Sequence, residues 1–204
     1  MTDRLTLAVE QAMREAAEIA IMPRFRTSEA HVLADKGEDG NTEPVTAADR
    51  ESEEILAGRL AALIPGAGIV GEEAVHADPA LLSRLGSGAC WLIDPLDGTA
   101  NFAAGQGPFG LLVALVEDGL PVGGWIFDPL SNRFCAALAG HGASVNGEAF
   151  KAAEIPRKRP LAAVTRLFAN RASRETLMDA LEADYDVVDS PRCAADQYPR
   201  VATG

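Results

Sequence analysis

The stretch Cys90-Trp91-Leu92-Ile93-Asp94-Pro95-Leu96-Asp97-Gly98-Thr99-Ala100-Asn101-Phe102 limits what this chain can become more than any other. An apolar run breaks at an aspartate, a second aspartate follows three residues on, and Gly-Thr comes next. The pattern reads as a buried strand that ends at a site and turns into a helix N-terminus. Pro95 fixes the backbone between the acids, so Asp94 and Asp97 can converge on one point, with the Leu96 carbonyl between them as a third oxygen ligand. Oxygen-only ligands select a hard cation, Mg²⁺ first. The Gly98 and Thr99 N–H groups, at the start of the next helix, favour a phosphate oxygen. Carboxylates, metal and amides together point to metal-assisted phosphoryl transfer to water. On these residues alone an ordinary turn is an equal reading, because Asp-Pro and Asp-Gly pairs are common turn formers.

The 204 residues, 48% of them apolar, can bury a core as one domain or two small ones. A net charge of -12 opposes nucleic acid or an anionic membrane as partner. It opposes an anionic substrate too, unless bound divalent cations reverse the local field. Cys90, Cys135 and Cys193 are odd in number, widely spaced and without a zinc pattern, so they are expected to be reduced core thiols. No signal-peptide core and no apolar run of about 18 residues is present, which leaves the cytoplasm as the default compartment.

Leu5, Val9, Ala12, Met13, Ala16 and Ile19 recur at helical spacing and predict an amphipathic helix that bends or ends near Pro23. Asp35 to Glu43 reads as a loop. Thr46-Ala47-Ala48-Asp49 is a capping pattern opening a second helix, whose buried face carries Ile55, Leu56, Leu60 and Leu63. Gly68 to Glu73 reads as a short strand delivering two acids at its end. Gly105-Gln106-Gly107-Pro108-Phe109-Gly110 has the spacing of a dinucleotide fingerprint, but it precedes a strand rather than opening a helix and is set aside. Leu111 to Val116, Pro121 to Phe127 and Arg133 to Leu138, joined by tight turns, predict an antiparallel meander with further turns at Gly140-His141-Gly142 and Asn146-Gly147. His141, without a partner at metal spacing, is expected at the surface. After the basic connector Lys151 to Pro160 the pattern alternates strand, helix and strand. The fold expected is therefore α/β: an α+β lobe over residues 1–150 and an α/β lobe over 151–204.

Asp94-Pro95-Leu96-Asp97-Gly98-Thr99-Ala100-Asn101-Phe102, preceded by Trp91-Leu92-Ile93, resembles the signature of the inositol monophosphatase family, W-[IV]-[IL]-D-P-[IL]-D-G-T-x-N-F. Val45-Thr46-Ala47-Ala48-Asp49 and Gly71-Glu72-Glu73 resemble two further motifs of that family, in the same order. The resemblance runs from about Leu5 to Gly204 and implies a layered αβαβα sandwich, Mg²⁺ dependence and a homodimer. It implies that Glu72, Asp94 and the Leu96 carbonyl hold one Mg²⁺ and that Asp94 and Asp97 share a second. Asp49 would face the site and help hold a third. Glu73 and Thr99 would orient and deprotonate the attacking water, while Gly98 and Thr99 hold phosphate and Lys36 approaches from its loop. Asp97 would also bind substrate, and Ala194 would help line its pocket. Arg192-Cys193-Ala194-Ala195 departs there from the family's G-[ST]-A-A, which puts inositol specificity in doubt.

The activity so implied is hydrolysis of a small phosphorylated polyol such as inositol 1-phosphate. Histidinol phosphate, a sugar bisphosphate or a nucleotide 3′-phosphate are the alternatives, decided by the pocket wall. A non-catalytic binding protein that keeps the fold is a reading of another class, against which Glu73 and Thr99 argue, since a binder has no use for them. The family's W-D-x-A-A-G motif, whose aspartate completes the second metal site, does not occur, so the chain is expected to be a fragment whose C-terminal lobe is unfinished.

Overall fold

A computed structural model describes residues 2–27, 32–35, 44–152, 159–164 and 171–203. The expectation for Lys36, most of the loop around it and the centre of the basic connector fall outside the described residues. Helix α1 spans Thr2–Ala16 and runs straight into a π-helical turn, Ala17–Ile21. Strands β1 (Val32–Asp35) and β2 (Pro44–Thr46) pair antiparallel and lead into α2, Ala47–Leu63. Next come β3 (Gly68–Gly71), a short α3 (Glu72–Ala77), a 3₁₀ segment (Pro79–Gly86), β4 (Ala89–Asp97) and α4 (Thr99–Ala103). The meander follows as β5 (Gly110–Glu117), β6 (Leu120–Asp128), β7 (Arg133–Leu138), β8 (Gly142–Val145) and β9 (Glu148–Phe150). Strand β10 (Leu161–Val164), helix α5 (Arg171–Glu182) and strand β11 (Asp186–Asp189) form a parallel strand-helix-strand unit, and α6 covers Ala194–Thr203.

Strands β3 to β9 form one seven-stranded sheet in sequence order, β3 parallel to β4 and every other pair antiparallel. The fold is mixed α/β. Along β4 side chains alternate between faces, so Trp91 and Ile93 are fully buried while Leu92 between them is 38% exposed. Trp91 and Ile93 share the core with Val113, Trp125, and the inward residues of α1 and α2. Burial on that scale, about 1.5–3 kcal/mol per large apolar side chain, is what holds the helices on the sheet. The opposite face carries Leu92, Leu112 and Ile126 and meets Tyr198, Pro199 and Ala202 of α6 around a cavity of about 480 Å³.

Two expectations change. Ile19, read as part of the buried stripe of α1, is 47% exposed, while Ala20 and Ile21 are buried. Ala12, Ala16 and Ala20, like Met13, Ala17 and Ile21, keep a four-residue step through the π-helical turn, and Ile19 falls beside that buried face. Glu72 and Glu73 open α3 instead of ending a strand. His141 is exposed as expected, its ring bonded to the Ala139 carbonyl. Gly105–Gly110 does precede a strand, and no described helix is long and apolar enough to cross a membrane.

Candidate active site

The parallel register of β3 on β4 assembles the first pair of acids. Gly68 lies opposite Cys90 and Gly71 opposite Ile93, so one further step sets Glu72 beside Asp94 at the carboxyl ends of both strands. A bulge assembles the second pair. Between Asp94, opposite Leu112, and Asp97, opposite Gly110, β4 has one residue more than β5. In a regular strand two residues separated by three positions point to opposite faces; the extra residue cancels that inversion. Pro95, which has no N–H to give a ladder, sits in the bulge.

Asp94 is the most constrained acid. Burial first, then the Glu72 and Asp97 charges, push its carboxyl well above the usual carboxylate range, and it shares a hydrogen bond with Glu72. Its Oδ1 is buried without a hydrogen-bond partner among the described residues. An orphaned buried carboxylate oxygen is costly unless a cation or proton meets it. Asp97 differs: its Oδ2 accepts the Ala195 N–H at 2.6 Å, and the Ala194 N–H and Cys193 thiol also support it. Burial still raises it overall. The Cys193 thiol, raised well above its ordinary range by burial and then by Asp97, stays neutral and contacts the Asp97 carbonyl at 3.9 Å.

Asp49 caps α2 and also reaches the signature. Its Oδ2 accepts from the Thr46 N–H at 2.7 Å and the Thr46 hydroxyl at 2.6 Å, while the Ala48 N–H donates to Thr46 Oγ1 at 3.2 Å, capping α2. Its Oδ1 lies 3.0 Å from Thr99 Oγ1, so the same carboxylate joins the cap to the signature. Burial pushes it up to about 6 against the pull of those hydrogen bonds. Thr99 Oγ1 also lies 2.7 Å from the Leu96 carbonyl. One hydroxyl proton cannot serve both acceptors, so a Thr99 that donates to Leu96 needs a protonated Asp49 opposite it. Thr99 thus meets Asp49 and the Leu96 carbonyl, and the Glu73 charge acts on Asp49.

Gly98 holds φ 82, left-handed backbone that glycine adopts freely. A Cβ there would also meet the Pro108 carbonyl at 2.8 Å. Its own carbonyl accepts the Asn101 and Phe102 N–H groups at 2.9 and 3.1 Å, turning the chain into α4. Beneath this turn Phe25, Phe102 and Phe109 pack with ring centroids 4.9 to 5.8 Å apart.

Three supporting residues were missed. Glu53 of α2 accepts the Glu73 and Ala74 N–H groups at 2.8 and 3.0 Å, fastening the first turn of α3. A Cβ on Gly71 would fall 2.2 Å from the Glu53 Cδ, which explains glycine before the two glutamates. Ser52 Oγ donates to the Pro95 carbonyl at 3.1 Å. Asn101 Nδ2 donates to the Pro108 and Pro191 carbonyls at 2.8 and 3.0 Å, tying the signature to the chain just before α6. A signal for two of them was available: Asp49, Ser52 and Glu53 lie on the helical face that buries Leu56 and Leu60.

Glu53, Glu72, Glu73, Asp49, Asp94 and Asp97 act on one another electrostatically, and Asp49, Glu53, Asp94 and Asp97 are all raised. Among the described residues no three such side chains converge into a ligand cluster by themselves. The acids act in pairs, Asp94 with Glu72 and Asp94 with Asp97, while the Leu96 carbonyl accepts the Thr99 hydroxyl at 2.7 Å. An all-oxygen, acid-rich set with an orphaned carboxylate oxygen suits a hard divalent cation.

The inositol monophosphatase family model matches residues 1–201. An inositol-1-monophosphatase of Mycobacterium leprae is 40% identical over 108 residues, 52% of this chain and 36% of that protein. A histidinol-phosphatase of Chlorobaculum parvum is 33% identical over 155 residues, 76% of this chain and 55% of that protein. The chain thus spans roughly a third to a half of the curated relatives it matches. The crystal structure of the extragenic suppressor protein suhB from Bartonella henselae shares the fold, with a TM-score of 0.81 over 98% of this chain and 75% of that one at 23% identity.

Proposed function

The chain belongs to the inositol monophosphatase family, and from that premise we propose that it is a Mg²⁺-dependent phosphomonoesterase acting on a small phosphorylated polyol such as inositol 1-phosphate. The observation that carries the proposal is the buried Asp94 Oδ1, without a hydrogen-bond partner among the described residues, on a carboxyl that the charges of Glu72 and Asp97 act upon. Glu72, Asp94 and the Leu96 carbonyl would hold one Mg²⁺, Asp94 and Asp97 a second, and Asp49 would stand near a third. Bound Mg²⁺ supplies positive charge for the phosphoryl and leaving-group oxygens and lowers the pKa of a water.

The residues of the chain do the rest. Thr99, whose hydroxyl lies between Asp49 and the Leu96 carbonyl, positions the attacking water and passes its proton toward Asp49 and Glu73. The Gly98 and Thr99 amides receive phosphate oxygens as charge builds on them. Ala194, carried beside Asp97 by the first turn of α6, forms the wall against the alcohol. Residues 1–150 would form the metal-binding lobe and 151–204 part of a second lobe, in a cytoplasmic homodimer, for which the free thiols Cys90, Cys135 and Cys193 suit a reducing compartment. Histidinol phosphate is the second reading, favoured by the relative that covers 76% of the chain.

Phosphate release from inositol 1-phosphate, histidinol phosphate and a nucleotide 3′-phosphate, with Mg²⁺ and with chelator, tests this. Chelator-sensitive release selective for inositol 1-phosphate is expected. Release that persists in chelator, or none from any of the three, would refute it.

A further inference from the structure

Helix α6 contains Pro199, five residues after its start. In an α-helix the N–H of position 199 would donate to the carbonyl of Ala195, but proline has none, so that carbonyl loses its helical partner. Arg133, the first residue of β7, takes the place: its Nη2 lies 3.4 Å from the Ala195 carbonyl and 3.3 Å from Asp196 Oδ1. Asp196 is only 5% exposed, and its other oxygen pairs with Arg200 Nε at 2.7 Å. Arg133 is braced in turn by Asp128 Oδ2 at 3.7 Å. Asp128 is fixed because it accepts from the Leu130 and Ser131 N–H groups and the Ser131 hydroxyl at 2.9, 3.1 and 2.6 Å.

The other backbone group of Ala195, its N–H, is the one held by Asp97 at 2.6 Å. One residue is therefore gripped at both polar backbone atoms, by the acid ending β4 and by the guanidinium opening β7. Gly110 permits the approach, since a Cβ there would fall 2.7 Å from the Ala195 Cβ. The arrangement is not the most stable one available: Arg133 Nε is buried without a hydrogen-bond partner, and a helix without the proline would need no outside donor. What it achieves is a fixed place for the first turn of α6.

We propose that Arg133, together with Asp196, is a positioning residue that sets the Ala194-Ala195 turn against Asp97 and so fixes the wall of the substrate pocket. The catalytic consequence rests on the phosphatase reading above; the clamp itself does not. Amide hydrogen exchange at Ala195, followed by NMR on the full chain, tests it. In Arg133→Met, exchange at Ala195 should quicken about tenfold or more while the amides of β5 and β6 keep their protection. Arg133→Lys, which keeps a charged donor, should fall between. Adding Pro199→Ala to Arg133→Met restores an N–H at position 199 and should return protection to Ala195. In phosphate release, Arg133→Met should raise KM more than it lowers kcat.

Unchanged exchange at Ala195 in Arg133→Met, or no recovery with Pro199→Ala, would overturn the proposal. If Arg133→Met also exposes β5 and β6, Asp196→Asn is the milder probe. It should quicken Ala195 exchange severalfold with the sheet intact, and no change would equally overturn the clamp. A wild-type protein without phosphatase activity would refute the functional reading while leaving the exchange result to decide the clamp.

Discussion

Asp94 and Asp97 stand three positions apart at the end of one strand, yet their surroundings are opposite. Asp97 is met by protein: amides at the start of α6 and the Cys193 thiol support its carboxylate. Asp94 takes one backbone N–H, from Leu96, but otherwise faces the acids Glu72 and Asp97, and its Oδ1 has no hydrogen-bond partner among the described residues. A folded chain normally supplies partners to buried oxygens. The unmet Asp94 Oδ1 is the observation on which the proposed cation site rests. Asp97 instead ties the end of β4 to the first turn of α6.

The contrast breaks first at Asp94. Asp94→Asn removes the charge with little change of volume, so Mg²⁺-dependent phosphate release should fall on the order of 10³-fold while circular dichroism is unchanged. Asp97→Asn keeps an oxygen for the Ala195 N–H and should lose less. Equal losses, or retained activity in Asp94→Asn, would erase the distinction. Thr99→Ala comes next: turnover should fall ~10²–10⁴-fold with little change in the Mg²⁺ concentration for half-activity, as for a residue that moves or aims a proton. A parallel loss of Mg²⁺ affinity would reassign Thr99 to the metal.

Smaller effects sharpen the picture. Gly71→Ala drives a Cβ into the Glu53 carboxylate that anchors α3, and thermal unfolding should report a loss of about 1–3 kcal/mol. The weakest effect is the pH dependence of the cation-free protein. Asp49, Glu53, Asp94 and Asp97 all titrate higher folded than unfolded, so the folded state binds more protons in between. Stability is then lost as pH rises from the usual carboxylate range through about 6, the folded value of Asp49. Urea melts at pH 4.5 and 7 in chelator should favour the lower pH, and Asp94→Asn should flatten the difference.

The chain's local grammar made much of this legible. An apolar run broken by Asp-Pro-Leu-Asp-Gly-Thr announced a strand and a helix start, and Thr46 to Asp49 announced a capped helix; both are present. What stayed hidden depends on register or on distance along the chain. The bulge between Asp94 and Asp97 exists only against β5, so no pattern within β4 reveals it. The grip of Ala195 on Asp97 joins residues 98 positions apart. Ile19 was misread because the buried stripe steps four residues from Ala16 to Ala20, where a step of three was read. Glu53 was overlooked because an acid between apolar helix positions looks like an ordinary surface charge until its face is known to be buried.

Mg²⁺ binding measured through thermal stability, wild type against Asp94→Asn, bears most directly on the cation site. At a concentration about 100 times the dissociation constant, Mg²⁺ should stabilise the wild-type fold by about 2.7 kcal/mol, a rise of roughly 5–10 °C for a domain of this size. Asp94→Asn should start from a cation-free melting temperature at or above that of wild type, since the uncompensated charge is gone, and should gain little from Mg²⁺. No shift in the wild type at millimolar Mg²⁺, or the same shift in both proteins, would contradict the assignment of this acid cluster as the metal centre.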